Sequence, residues 1–289
     1  DPTDHETVMR AKRFAGFYLN EDPQAPNYDS KLKIIRSPHS GSLGPVFGSA
    51  EKATPYNWSK GMASYGLPLE DLPGIANADD LKDPDKARKM GLALQERLYR
   101  GDVPSNLAAT TLLANTYLLT GEAKYAEWVQ EYVSAWLERT RANGGITPDN
   151  IGVSGKTGEY HGGKWWGGNY GWRWPHGYYN LGMALQCAAE NAVLVSRGDG
   201  RYLELPRSNL NHLIAAGKTG IGPRMRPIPT WATHRYRNQE RTAGTVMWRD
   251  WWIGTKSLTS TTKKIGAMRG RGCVFWLVRI LTIRKRFCR

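Results

Sequence analysis

The spacing of apolar residues along the chain predicts a mainly helical protein. Val8, Phe14 and Phe17 follow a helical period over 5–19, and Asp83 before Pro84 is typical of a helix start, with the helix running to 100. The same period predicts further helices over 103–120, 123–141, 180–196 and 202–216. Residues 21–83 show little periodicity and are rich in Pro, Gly, Asn, Asp and Ser. A connection of that length is expected to be functional or packed against the helical body.

The last four predicted helices form two antiparallel hairpins. The sequence LLTGEAKYAEW begins at residue 118 and aligns with VSRGDGRYLEL at an offset of 77 residues. This alignment places Gly121 on Gly198 and Tyr125 on Tyr202. A recurring hairpin predicts a repeat architecture, in which each unit buries one face against its neighbours. Chance similarity between two helix–turn–helix segments is the alternative.

Hairpins ending in G-[DE]-x-[KR]-Y, joined by aromatic and glycine-rich loops, resemble the (α/α)-toroid carbohydrate-active enzymes. That group includes six-hairpin glycosidases and toroid polysaccharide lyases, and the resemblance covers roughly residues 84–217. It implies an all-α fold of antiparallel helical hairpins forming part of an (α/α) toroid, with long aromatic, glycine-rich loops. The body supplies too few helices for a full ring, so the toroid is expected to be incomplete. Loops at one end of such a ring would build a saccharide groove.

One loop carries an unusual mixture of rings and glycines: EYHGGKWWGGNYGWRWPHGYYN, residues 159–180. Eight aromatic residues and six glycines lie within 160–179. Glycine destabilises the interior of a helix or strand by roughly 0.5–1 kcal/mol relative to alanine, so this segment is predicted to be a shaped loop. Rings beside convergent polar groups are typical of ligand pockets. An aromatic-rich core loop is the alternative.

Sugars suit such a loop, because their apolar C–H faces can lie on Trp and Tyr while their hydroxyls need donors and acceptors. The glycines would let the backbone approach the ligand. The predicted substrate-binding residues are Lys164, Trp165, Trp166, Tyr170, Trp172, Arg173, Trp174, Tyr178 and Tyr179.

Two kinds of glycosidic cleavage fit the polar residues of this region. Hydrolysis ordinarily needs two carboxylates, and Asp149 and Glu159 flank the start of the loop. Asp149 follows Pro148 and could instead be a turn former, and Glu159 could be a solvated loop charge.

Elimination from a uronic acid needs a base, an acid and a cation that neutralises the sugar carboxylate. Histidines and tyrosines of the loop could supply the base and the acid, and Lys164 or Arg173 the cation. Tyr178 and Tyr179 are further candidates for proton transfer. The predicted catalytic residues are Asp149, Glu159, Tyr160, His161 and His176.

The charge of the chain is unevenly distributed. The formal net charge is +14, and residues 223–289 hold 16 basic and two acidic residues, so the excess lies there. We therefore predict a neutral helical domain over 1–222 and an irregular basic tail over 223–289, with no specific nucleic-acid partner. The tail could bind polyanions or an anionic membrane surface, or be a true subdomain. The preferred interpretation is out-of-frame sequence, because charge balance and periodicity are lost together.

Apolar runs, the N-terminal sequence and the cysteines bear on membrane insertion, cellular location and cofactors. No apolar run reaches the roughly 18 residues of a membrane span, and the chain begins without a signal-peptide pattern. A secreted or periplasmic location is favoured if the chain is a fragment lacking that peptide. Cys187, Cys273 and Cys288 have no metal-ligand spacing, and no metal or cofactor is predicted. The expected function is cleavage of an oligo- or polysaccharide by hydrolysis or elimination. A non-catalytic glycan-binding or helical-repeat interaction protein is the alternative.

Overall fold

The structure of the protein is a computed structural model that describes residues 3–23, 26–38, 40–41, 44–45 and 55–218. This part of the chain is mostly helical, as predicted, and has seven α-helices. They are α1 (His5–Gly16), α2 (Lys60–Ala63), α3 (Pro84–Arg97), α4 (Ala109–Thr120), α5 (Ala123–Ala142), α6 (Tyr178–Val195) and α7 (Glu204–Lys218). Two antiparallel pairs of two-residue strands join β1 (Tyr28–Asp29) to β2 (Ile34–Ile35) and β3 (Ser40–Gly41) to β4 (Gly44–Pro45).

Contacts between Cα atoms divide the chain into two units, Asp1–Thr233 and His234–Arg289. Every described residue lies in the first unit. The predicted tail at 223–289, with Cys273 and Cys288, lies outside the described residues.

Residues that are recognisable in the sequence as helix caps determine where α3 begins and where α4 ends. The Asp83 carboxylate accepts from the amides of Asp85 and Lys86 at 2.9 and 3.4 Å, and Pro84 is the first residue of α3, as predicted. Gly121 ends α4 in the left-handed region, at φ 71°. α4 begins later than predicted, at Ala109, because Pro104–Ala108 forms a 3₁₀ turn before it.

The second hairpin, α6–α7, has the same glycine turn and buried tyrosine as the first, but its second helix begins after a 3₁₀ turn. Gly198 has a φ of 110°, so both glycines that the sequence alignment pairs adopt positive φ. Tyr125 and Tyr202, the aligned tyrosines, are both fully buried. A 3₁₀ turn at Gly200–Leu203 delays the start of α7 to Glu204, two residues after the predicted start.

The core lies between the hairpins, where α6 contacts α4, α5 and α7. α5 contributes several of the largest buried side chains of this core, Tyr132 and Trp136 among them. A separate apolar cluster joins α3 to the segment that precedes it; its buried members are Leu67, Leu69, Ile75, Leu81, Met90, Ala93, Leu94 and Leu98. This second cluster fixes residues 67–71 beside the C-terminal end of α3, where they form part of the candidate site.

A buried carboxylate ties the N-terminal strands to the helical core. Asp102 is fully buried and accepts hydrogen bonds from the Ile35 amide at 3.0 Å and the Tyr132 hydroxyl at 2.9 and 3.0 Å. The Val103 amide and the Asn106 side chain donate to it at 2.9 and 2.8 Å. Because an unpaired buried carboxylate is very costly, these donors hold β2, α5 and the start of the 3₁₀ turn together.

The pKa of Asp102 should be measurable by carbon-13 NMR titration of its carboxyl group. Burial raises this pKa to about 6, and Arg139, the Asn106 side chain, the Ile35 amide and the Tyr132 hydroxyl offset only part of that rise. The folded chain therefore holds the proton more tightly than the unfolded chain does. We expect the contribution of Asp102 to the free energy of unfolding to fall as the pH rises from about 4 to about 6, and to be constant above that range.

The Asp80 carboxyl is the internal comparison, because its hydrogen bond with Lys86 lowers its pKa to about 2. Titration of Asp102 at or below pH 4 would contradict the assignment.

Candidate functional site

The aromatic loop is folded around the carboxylate of Asp149. This side chain is fully buried and accepts hydrogen bonds from the amides of Gly167, Gly168 and Trp172 at 3.1, 2.8 and 2.8 Å. The Asn150 side chain donates to it at 3.1 Å. Burial raises the pKa of Asp149, and the three backbone amides offset part of that rise. The predicted catalytic Asp149 is thus engaged on both oxygens by the loop itself, and its geometry gives it a structural role.

Two glycines are required because the loop passes so close to Asp149. A Cβ atom on Gly168 would lie 1.9 Å from the Asp149 carbonyl oxygen. A Cβ atom on Gly171 would lie 2.2 Å from Asp149 Oδ2. The expectation that the glycines admit a ligand therefore needs correction at these positions, where they admit a buried carboxylate.

A second set of bonds anchors the loop to α7. The Thr147 amide donates to Asn209 Oδ1 at 2.9 Å, and Asn209 Nδ2 donates back to Thr147 Oγ1 at 2.8 Å. The Trp172 indole donates to the Thr147 carbonyl at 2.7 Å. The loop is therefore fixed to the second hairpin as well as to Asp149.

A pocket open to solvent lies between this loop and the segment before α3, with a cavity volume of about 70 Å³. The preceding segment and α3 contribute Leu69, Glu70, Asp71 and Arg97, and the loop contributes His161, Lys164, Trp166, Gly167 and Arg173. Its lining thus combines three basic residues, two acidic residues, an indole and an imidazole.

One ion pair lies within the wall formed by α3 and the preceding segment, and a second joins that wall to the loop. Arg97 Nη1 and Nη2 donate to the two Asp71 oxygens at 2.7 and 2.9 Å, and Arg97 Nε donates to the Tyr160 carbonyl at 3.2 Å. Arg173 Nη1 contacts Glu70 Oε1 at 2.6 Å. The hydrogen bond from Arg97 holds the pKa of Asp71 below its ordinary value. Burial lowers the pKa of Arg173, and Glu70 offsets part of that effect.

Lys164 is the pocket cation that makes no ion pair with any carboxylate in the described part of the chain. Its Nζ lies 5.4 Å from the centre of the Trp166 ring, within the range of a cation–π contact. The side chain is exposed. The pocket therefore has an excess positive charge at its solvent side.

His161 is held in one tautomer by the loop. Its Nε2 lies 3.1 Å from the Gly167 carbonyl oxygen, which can only accept, so Nε2 carries the proton. Nδ1 is then an acceptor, and it is buried without a hydrogen-bond partner among the described residues. Burial, with Arg97, Lys164 and Arg173 nearby, lowers the pKa of His161 to about 4. The imidazole is therefore neutral at physiological pH.

Four of the predicted site residues line the pocket, namely His161, Lys164, Trp166 and Arg173. Glu159 does not line it; its exposed carboxylate accepts from the Ser154 amide and hydroxyl at 3.1 and 2.7 Å. His176 is exposed and packs edge-on against Tyr65, with ring centres 4.7 Å apart. The Tyr160 ring lies beneath the Arg100 guanidinium at 5.3 Å. The predicted pair of Asp149 and Glu159 therefore does not form an acid–base pair in this pocket.

The remaining predicted aromatic residues divide between the core and the surface. Trp172 is 2% exposed and Trp174 is 9% exposed, so the expectation that they stack on a ligand needs correction. Trp165 and Tyr178 pack against Trp172, edge-on at 6.1 Å and stacked at 5.4 Å. Tyr170 and Tyr179 are exposed but lie outside the pocket lining.

Sequence reasoning missed the three charged residues that the pocket takes from outside the loop: Glu70, Asp71 and Arg97. The only signal was the expectation that segment 21–83 is functional or packs on the body. Nothing in the spacing connects Asp71 with Arg97, which lies 26 residues later.

The chain belongs to the sequence family described as "Domain of unknown function (DUF8034)", which matches residues 1–258. The match passes the predicted domain boundary at residue 222 and ends within the basic segment. No curated protein and no solved structure matches the chain. Among the described residues, no helix is both long and apolar enough to span a membrane.

Replacing Asp149 by Asn should destabilise the fold. The new side-chain amide would face backbone amides that also donate, and each buried donor left unpaired costs about 1–3 kcal/mol. Urea unfolding of Asp149→Asn should therefore show a loss of several kcal/mol. Glu159→Gln is the matched control, because its carboxylate is exposed, and surface changes usually stay within about 0.5 kcal/mol. Equal unfolding midpoints for the two variants would contradict the structural role of Asp149.

Proposed function

We propose that the protein is a carbohydrate-active enzyme that cleaves glycosidic bonds of an oligo- or polysaccharide at the pocket between the aromatic loop and α3. The α4–α5 and α6–α7 hairpins would be part of an (α/α) toroid, with this loop on the substrate side. Loops carried by a rigid helical scaffold are common places for binding and catalytic residues. Here Asp149 and Asn209 make such a loop rigid.

The observation that carries the proposal is the meeting of Trp166 with several ionic groups in one open pocket. A half-buried indole offers an apolar face to a sugar ring, and the neighbouring charged groups offer donors and acceptors to its hydroxyls. Arg97 and Glu70 come from outside the aromatic loop, so a ligand would touch two separate parts of the chain.

The pocket also has groups suited to acid–base chemistry. Glu70 and Asp71 are two carboxylates on one wall, and His161 supplies a neutral imidazole on the other. Hydrolysis would draw on the carboxylates and elimination on the imidazole. The proposed cleavage therefore does not depend on Asp149 or Glu159, the pair that the sequence favours.

A binding function without cleavage is the second candidate. The pairing of Arg97 with Asp71 and of Arg173 with Glu70 favours it, because paired charges make a rigid recognition surface. The two candidates differ in whether products form.

The test is product analysis with the full chain on a panel of neutral and acidic polysaccharides. We expect new reducing ends from at least one polymer. Trp166→Ala should lower kcat/KM about tenfold, because an aromatic contact contributes roughly 0.5–1.5 kcal/mol beyond the area it buries.

Phe14→Ala is the control for Trp166→Ala. Phe14 is a ring on α1 that is 37% exposed and outside the pocket, so its loss should leave kcat/KM unchanged. Binding of a polymer without any product would favour the binding function, and neither binding nor product would end the proposal.

A further inference from the structure

We infer that two copies of this chain associate through the exposed side of the α6–α7 hairpin, with α6 of each copy antiparallel to α7 of the other. Neither helix lines the pocket, so this association would be separate from the proposed cleavage and does not depend on it. Three features of the hairpin indicate it: an exposed stripe on each helix, the matching spacing of the two stripes, and the opposite charges that they contain.

α6 has a composition typical of a helix that is enclosed by protein on every side. Its 18 residues include a single charged one, Glu190. One side of α6 is nevertheless open, because Tyr179, Met183 and Leu194 are 56, 58 and 49% exposed. Helical periodicity places all four residues on that side, opposite buried residues such as Leu185. Met183, Glu190 and Leu194 form what we call the α6 stripe.

α7 and the 3₁₀ turn before it carry a second exposed stripe. Leu203 and Ile214 are 37 and 42% exposed, and Arg207 is exposed between them. Their spacing of four and seven residues puts them on one side of the helix, and we call them the α7 stripe. Five of the ten large apolar side chains exposed in the described part of the chain thus belong to this hairpin. Such a concentration marks an interaction site, whereas apolar side chains scattered singly do not.

The internal repeat shows that the α7 stripe corresponds to a buried surface of the first hairpin. At the offset of 77 residues, Leu203 aligns with Ala126, which is 7% exposed. Ile214 aligns with Leu137, which is 3% exposed. α5 has both α6 and α7 packed against it in addition to α4, whereas α7 packs mainly against α6 and α5. The repeat therefore leaves a place for a further element on α7.

The two stripes match in spacing. Along each stripe, the charged residue lies four residues from one apolar residue and seven from the other. These intervals are about 6 and 10 Å along a helix axis. Their order is reversed between the stripes, so antiparallel helices would align them. Such a pairing brings together three pairs of residues from the two copies: Met183 with Ile214, Glu190 with Arg207, and Leu194 with Leu203.

The two stripes can be paired in both directions at once. Each stripe lies opposite the residues that its own helix buries, and α5 packs against both helices on that buried side. A twofold axis parallel to the helices would therefore place α6 on α7 of the other copy, and α7 on its α6. This pairing leaves no stripe open for a third copy, so the expected assembly is a dimer.

The charges of the stripes favour a second copy as the occupant. Glu190 and Arg207 make no ion pair among the described residues. The twofold pairing would form the Glu190–Arg207 pair twice, because each copy supplies one residue of each charge. Residues 219–233, which follow α7, contain basic but no acidic residues and so offer no partner for Arg207.

The first experiment measures self-association of the full chain by sedimentation velocity over the micromolar range of concentration. We expect a dimer whose fraction rises with concentration. Met183→Asp would set an unpaired carboxylate against an apolar residue, and should weaken the dimer at least about tenfold.

Met9→Asp is the matched control, because Met9 is a 51% exposed methionine on a different helix, α1. It should leave the dimer Kd unchanged. A monomer at every concentration, a dimer that Met183→Asp leaves unchanged, or equal weakening by the two variants would overturn the inference.

The second experiment tests the pairing of the stripes by charge reversal. Glu190→Arg and Arg207→Glu would each place like charges opposite one another, and each should raise the dimer Kd at least about tenfold. The double variant restores opposite charges, and its Kd should return to within about threefold of the unchanged chain. A double variant as weak as the single ones would overturn the pairing of α6 with α7. Assemblies that grow beyond a dimer would overturn the twofold arrangement.

Discussion

The candidate site depends on one buried carboxylate and the three loop amides that donate to it. Asp149 accepts from Gly167, Gly168 and Trp172 within a segment that has no helix or strand of its own. Taking a carboxylate out of water is costly, and the cost is offset only where its oxygens are fully hydrogen-bonded. Any other path for the loop would leave this charge unpaired. The same requirement therefore fixes the backbone between Lys164 and Arg173, which carry pocket groups.

A second buried carboxylate extends this arrangement into the helical core. Asp102 and Ile151 exchange backbone hydrogen bonds of 2.6 and 2.9 Å, and Ile151 lies two residues after Asp149. Asp102 in turn accepts from Tyr132 on α5 and from Ile35 on β2. The loop is thus joined to the core through a short chain of buried polar contacts. Polar networks of this kind are rigid when every group is satisfied, which is what a binding site requires.

Structural features that depend on the backbone conformation of one residue could be predicted from the sequence. Gly121 and Gly198 end helices through their own backbone conformation, so the hairpins could be located from the sequence. The aromatic loop could be predicted to be a shaped loop because its six glycines are unfavourable inside a helix or strand. The role of Asp149 was not predictable, because its partners lie 18 to 23 residues away and are backbone amides, which nearly every residue has.

The pocket itself depends on contacts that no spacing rule describes. Arg97 meets Asp71 because Leu69 and Leu94 belong to one apolar cluster, which brings the segment before α3 against that helix. Trp172 was expected to stack on a ligand because a ring in a glycine-rich loop does not reveal which way it faces. Its indole instead donates to Thr147 inside the fold. The sequence therefore indicated the site region and four of its pocket residues, but not the opposite wall.

The central claim is that Asp149 holds the aromatic loop in a single conformation. Amide hydrogen exchange of the full chain, read residue by residue by NMR, tests it most directly. The amides of Gly167, Gly168 and Trp172 should exchange far more slowly than that of Gly162, which lies exposed in the same loop. Exchange of all four amides at the rate of an unprotected chain would show that the carboxylate does not order the loop, and would contradict the account.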